Sequence, residues 1–213
     1  MKRIFVGVIT LILLNGVNTW AITVNMLLDK MQQKNAQFES LQAHFVQKTT
    51  LTTGLKRKKR MEGIVYLKRP KMMRWDYTSP ERYHIISNGE RIWFYDEGQK
   101  QVMIGNINKF FDKHLLYALF LNIKNVAKFF NTSLKETKTE FVLTLIPKQS
   151  QINSKRIKVW IKKKDYQIKG LEFEDLYGNQ NRIDFQNFTY NKSFRNDFFE
   201  FKPPPKVEVI KLP

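Results

Sequence analysis

The side chains able to do catalytic or metal chemistry are few and scattered. Three histidines, His44, His84 and His114, lie far apart, and none has a second ligand type at metal-binding spacing. Each reads as a satisfied or exposed imidazole rather than a ligand. Glu172 and Glu174 fall on one face of a strand pattern, as a general acid and base might. Phe173 between them marks the opposite face as buried, so two solvated carboxylates are expected. Cysteine is absent, which excludes disulfides, thiol metal sites, a cysteine nucleophile and a lipid-modified N-terminal cysteine. No nucleophile elbow, phosphate-cradling glycine loop or H-E-x-x-H occurs. The expectation is a protein that is not an enzyme and holds neither metal nor cofactor.

The remaining chemistry is that of recognition. Lys56, Arg57, Lys58, Lys59 and Arg60 form the densest basic run, placed where a hairpin tip is expected. It reads either as a solvated loop or as a contact to anionic headgroups or an acidic partner. The chain carries 37 basic and 19 acidic residues, together with 17 Phe, 8 Tyr and 4 Trp. So many aromatics either fill a solid core or line a pocket for something apolar.

Compartment narrows these choices. Lys2 and Arg3 precede an apolar run over residues 4–14, and Thr19-Trp20-Ala21 offers small residues at the positions a signal peptidase reads. Residues 1–21 are therefore expected to be a cleaved secretory signal, leaving 22–213 as a single domain. A transmembrane anchor would need about 20 apolar residues, and Asn15, Gly16 and Asn18 interrupt the run. Without Lys2 and Arg3 the balance is 35 basic against 19 acidic residues, a net charge of +16. Export argues against nucleic acid as the partner of that surface and leaves anionic lipid, an acidic protein or a merely lysine-rich background composition.

Val24, Leu27, Leu28 and Met31 have the spacing of an amphipathic helix running to about Lys34. From Leu41 the period changes to two, with Leu41, Ala43, Phe45 and Gln47 on one face. Further strand signals occupy 61–68, 72–77, 82–87 and 91–95, and Asn88-Gly89 predicts a type I′ hairpin. Residues 108–130 read as an apolar helical insert with Phe111, Leu115, Ala118 and Leu119 on one stripe, widened by Phe120 and Ile123. Strand signals return at 141–145, 157–161, 168–173 and 182–188. The pattern predicts a mainly β, α+β domain: one strongly bent antiparallel sheet of ten or eleven strands with helices against one side.

One ordered string of motifs is more specific: Arg69-Pro70, Met73, Arg74-Trp75, Tyr77, Pro80, Asn88-Gly89 and Trp93-Phe94-Tyr95. It is preceded by Phe38, Phe45 and Gln47-Lys48, and followed by Asp175-x-x-Gly178-Asn179, Ile183-x-Phe185 and Val207-x-Val209. This string resembles the periplasmic outer-membrane lipoprotein carrier family, LolA. The resemblance implies an incomplete antiparallel β-barrel closed by a helical lid over an apolar cavity. It also implies a soluble periplasmic monomer with acylated lipoproteins as cargo, an inner-membrane ABC transporter as donor and an outer-membrane lipoprotein as acceptor. Contact with a membrane would be transient.

By the match at R-P, Arg69 is implied as the residue that latches the lid, expected to bond the insert around Leu115 to Phe120. Phe45, Met73, Trp75, Tyr77, Trp93, Leu115, Leu119 and Phe120 are the expected acyl-chain pocket. A second reading remains open: a periplasmic binding or adaptor protein with a solid aromatic core and a basic docking surface. Pro204-Pro205-Lys206-Val207 stands where the family has Pro-x-Gly-Val, so a tight glycine turn is not expected there.

Overall fold

Thr23 stands in extended backbone and its hydroxyl accepts from the Met26 N–H, starting helix α1 (Val24–Asn35). Leu27, Leu28 and Met31 form its buried face, and Ala36 N–H closes the end by donating to Gln32 O. The chain then enters β1 (Ser40–Leu51), β2 (Arg57–Lys68), β3 (Met72–Ser79), β4 (Tyr83–Ser87), β5 (Arg91–Asp96) and β6 (Gln101–Asn106). After the apolar insert come a short helix α2 (Val126–Phe129), β7 (Phe130–Glu136), β8 (Glu140–Pro147), β9 (Arg156–Lys162), β10 (Ile168–Glu174) and β11 (Gln180–Tyr190). A 3-10 turn (Asn196–Phe199) leads to β12 (Glu208–Lys211). The computed structural model describes residues 22–52, 57–107, 119–120, 123, 126–148 and 154–212. The expected signal segment 1–21, Lys56, Phe111, His114, Leu115 and Ala118 lie outside the described residues.

All twelve of these strands form one sheet in the order β12-β6-β5-β4-β3-β2-β1-β11-β10-β9-β8-β7. Every pairing is antiparallel except β12 with β6, which is parallel. The sheet is thus an open, incomplete barrel with β12 and β7 at its edges. Three strands exceed the periodic signals: β6, β7 and β12. Phe130, expected at the end of the helical insert, is instead the first residue of β7 and pairs with Pro147.

This topology explains the insert. The chain leaves β6 near one edge and re-enters at β7 on the other, so residues 107–129 must carry it between the edges. Of the described residues in that segment Ile107, Leu119, Phe120, Ile123 and Val126 are buried, whereas Phe129 is exposed.

Two turns differ from expectation. At Asn88-Gly89 only Gly89 has positive φ, +98°. Asn88 acts through its side chain, whose Oδ1 accepts from the N–H groups of Glu90 and Arg91, so the link is an Asx turn rather than type I′. At the other, Lys206 takes the left-handed position with φ +67° and Val207 N–H donates to Pro204 O at 3.3 Å, so a tight turn forms without glycine. A side chain in that region carries a backbone penalty, partly offset by glycine's greater chain entropy, so Lys206→Gly should raise stability by about 0.5–1 kcal/mol. Urea unfolding checks it, and a fall in midpoint would contradict the assignment.

Candidate functional site

Period-two alternation sends one set of side chains from every strand to the concave face. Across β8 to β11 the register aligns Leu143, Val159, Leu171 and Ile183 in one apolar row. On the other side of β1 the row is aromatic. Phe45 is paired with Gly63 on β2, which is paired with Tyr77 on β3. A Cβ at Gly63 would stand 2.1 Å from Asp76 O and 2.8 Å from the Phe45 ring, so only glycine fits between the two rings. Across that gap Phe45 meets Tyr77 edge-on at 4.9 Å between centroids, and Trp75 at 4.9 Å. Phe185 on β11 extends the group to Trp75 at 6.1 Å.

Helical residues cover this face. Leu27, Leu28 and Met31 of α1 and Leu119, Phe120, Ile123 and Val126 join the same buried cluster, and Phe120 stands edge-on to Phe185 at 5.3 Å. Towards one end the face becomes polar: Tyr77 OH donates to Gln47 Oε1 at 2.9 Å and Thr49 Oγ1 donates to Asn181 Oδ1 at 2.5 Å. Burial pushes the Tyr77 phenol up to about 12, so it stays a neutral donor.

The cover is tied down by a small polar junction. Arg69, just after β2, donates from Nη2 to Asn35 O at 2.8 Å and from Nε to Phe38 O at 3.0 Å. These are carbonyls at and beyond the end of α1, where helical carbonyls lack intrahelical partners and a cation complements the helix dipole. The Asn35 side chain is buried, and its Nδ2 donates to Leu119 O at 3.2 Å. Arg69 therefore reaches α1 directly, and the insert through Asn35. Among the described residues its side-chain bonds run to the end of α1 rather than to the 115–120 insert expected from sequence. A planar guanidinium suits two carbonyls on one side of it.

Of the expected pocket residues, Phe45, Met73, Trp75, Tyr77, Leu119 and Phe120 lie together on the covered concave face. Trp93 does not. The register aligns Trp93 with Ile86, and both pack with Val102, Tyr95, Ile104, Phe201 and Val207 on the convex face. The segment before β12 crosses that face with Phe201 and Val207, so both sides of β4 to β6 are covered and burial alternation no longer separates inside from outside. The basic run also differs: Arg57, Lys58, Lys59 and Arg60 belong to strand β2 rather than to a loop, and all four are exposed. Glu172 and Glu174 are ion-paired rather than solvated, with Lys158 at 3.1 Å and with Arg156.

The family model described as outer membrane lipoprotein carrier protein LolA matches residues 36–202. The chain belongs to the LolA family. An outer-membrane lipoprotein carrier protein of Methylococcus capsulatus is 30% identical over 175 residues, covering 81% of each chain. One from Francisella tularensis is 27% identical over 212 residues, covering 99% of this chain and 97% of that protein. Among solved structures, an uncharacterized conserved protein from Thermus thermophilus superposes with a TM-score of 0.55 at 12% identity, covering 88% of this chain and 98% of that one. That likeness concerns the fold alone. The LolA match opens immediately after Asn35, so α1 and its junction residue lie outside the matched span. β12 lies beyond its other end.

One titratable cluster sits on the convex face of this LolA sheet. His84 bridges Asp76 Oδ1 at 2.6 Å and Glu97 Oε1 at 2.9 Å, and stacks on Tyr95, while Arg74 also bonds Asp76. The Asp76 hydrogen bond outweighs burial and, with Glu97, raises the His84 pKa above its ordinary 6.5. Burial pushes the Asp76 carboxyl up, but bonds from His84 and Arg74 outweigh it and hold the group below its ordinary 3.8. His84 thus contributes stability that is full below 6.5 and lost as pH rises through its raised folded value. Asp76 contributes stability present above 3.8 and lost as pH falls through its lowered value. Unfolding across pH should show greatest stability between the two ordinary values, and His84→Gln should flatten the fall on the alkaline side. An unchanged alkaline limb in the variant would contradict this assignment.

Proposed function

We propose that this chain is a soluble periplasmic carrier that shelters the acyl chains of lipoproteins against its concave face. The observation that supports it is the way that face is covered. Helical residues lie over it, fastened at a junction of hydrogen bonds around Asn35 and Arg69 rather than by strand pairing. Such a cover lifts without breaking the sheet. Membership of the LolA family and the names of its relatives support the same reading.

The physical need is clear. Each methylene exposed to water costs about 0.8 kcal/mol, so a protein with two or three long acyl chains cannot cross an aqueous space unshielded. Transfer from a bilayer to an apolar face is nearly neutral on that scale, so loading calls for work from an ATP-driven donor. In this reading residues 1–21 are removed on export. An inner-membrane ABC transporter loads the carrier, and an outer-membrane lipoprotein of similar fold receives the cargo. The carrier acts as a monomer and catalyses no covalent step.

A fluorescent fatty-acyl probe titrated at two salt concentrations tests the reading. Acyl binding should persist between about 0.1 M and 1 M salt, although the Debye length falls from about 10 Å to about 3 Å. A binding or adaptor protein with a solid aromatic core would take up no probe and would hold its anionic partner only at low salt.

A further inference from the structure

Where β1 runs out towards β2, and β10 turns into β11, two strand ends lie side by side. Thr50 pairs with Gln180, Thr52 N–H donates to Asn179 Oδ1 at 2.9 Å and Thr52 Oγ1 donates to Tyr177 O at 3.3 Å. The β10–β11 turn is built tightly. Asp175 Oδ1 accepts the N–H groups of Tyr177 and Asn179 at 2.9 and 2.8 Å, and Gly178 supplies φ +82°. Yet this ordered turn projects Leu176, 65% exposed, and Tyr177, 78% exposed, the two most exposed large apolar side chains among the described residues. Leu51, also exposed, is their neighbour across Thr52.

Cations flank them. Register places Arg57 opposite Leu51, Lys58 opposite Thr50, Lys59 opposite Thr49 and Arg60 opposite Lys48. Lys59 pairs with Glu81 and Arg60 with Glu62, whereas Arg57 and Lys58 form no ion pair among the described residues. The nearby acids are engaged: Glu174 with Arg156, and Asp175 with its own turn. Leu51, Leu176 and Tyr177, the large apolar side chains exposed around this turn, are too few to form the central buried cluster of a stable protein interface. A fluid bilayer can close around so small a group. An aliphatic side chain, an amphipathic tyrosine and unpaired cations are what its boundary accommodates.

We infer that this end of the sheet is a membrane-docking tip, seating Leu176 and Tyr177 in the headgroup region of an anionic phospholipid bilayer, with Arg57 and Lys58 on lipid phosphates. It would act whether or not the concave face holds acyl chains.

The test is sedimentation of the purified protein with vesicles of equal parts phosphatidylglycerol and phosphatidylcholine. Arg57→Ser with Lys58→Ser should weaken binding by about tenfold to thirtyfold, near fivefold per cation. Lys138→Ser with Lys164→Ser removes two exposed cations from turns at the opposite end and should change it by less than about twofold. Equal losses in the two variants would overturn the tip in favour of overall charge. Because the chain has no cysteine, Leu176→Cys takes a single environment-sensitive fluorophore, with Lys138→Cys as reference. A blue shift on these vesicles at position 176 alone is expected. No shift at 176, or the same tip-dependent binding to a soluble acidic polypeptide without a shift, would overturn membrane docking. Acyl-probe uptake by the Arg57→Ser, Lys58→Ser variant should be unchanged, so failure of the tip leaves the carrier reading to be judged by its own titration.

Discussion

Arg69→Leu should load cargo but fail to hand it over. The leucine keeps the apolar stem and deletes the donors that hold Asn35 O and Phe38 O. Hydrogen bonds from a charged donor are worth about 1.5–3 kcal/mol each, so losing two shifts the closed–open balance by about two to four powers of ten. Asn35 loses its restraint as well, and with it the bond to Leu119 O that ties the insert to α1. The open state, with the aromatic face available, is then favoured before and after loading. Closure no longer helps to expel the acyl chains. Measured separately, loading from donor membranes should be near normal and release to the acceptor should fall at least tenfold. Unchanged release, or a loss confined to loading, would contradict the latch.

Phe45→Ala should carry the largest cost in stability. The Phe45 ring is 1% exposed and touches Trp75 and Tyr77 across the space that Gly63 leaves. Removing a buried ring costs about 3–5 kcal/mol, which for a domain of this size lowers Tm by about 6–20 °C. If acyl chains bind where these rings converge, saturating fatty-acyl probe should restore more of the lost Tm in the variant than it adds to the parent protein. Equal increments in both proteins would put the acyl site elsewhere.

Much of this fold was legible because alternation is a direct consequence of the pleat. The concave placement of Phe45, Met73, Trp75 and Tyr77 follows from period two on β1 and β3. Strand β6 was missed because Gly105 and Asn106 dilute its signal, and β7 because Thr132 separates the two apolar residues of its inward face, Phe130 and Leu134. Trp93 was misplaced for the opposite reason. Ile92 and Trp93 are both buried, on different faces, since the C-terminal segment covers the convex side. Asn35 could not be read at all: a polar residue ending an amphipathic helix looks like an ordinary helix terminus, and its contact at Leu119 lies 84 residues away. Nor does a lysine in Pro-Pro-Lys-Val announce positive φ. The family frame supplied Arg69, while its bonding to the end of α1 emerged only from the geometry.

The most direct measurement of the carrier reading is to express the exported protein together with an acylated lipoprotein and examine the water-soluble fraction by size. A one-to-one complex should be found that survives about 1 M salt, where screening has shortened the Debye length to about 3 Å. It should dissociate when the lipoprotein is replaced by its unacylated form. A lipoprotein that stays in the membrane, or a complex that forms equally well without acyl chains and is dispersed by salt, would contradict the account.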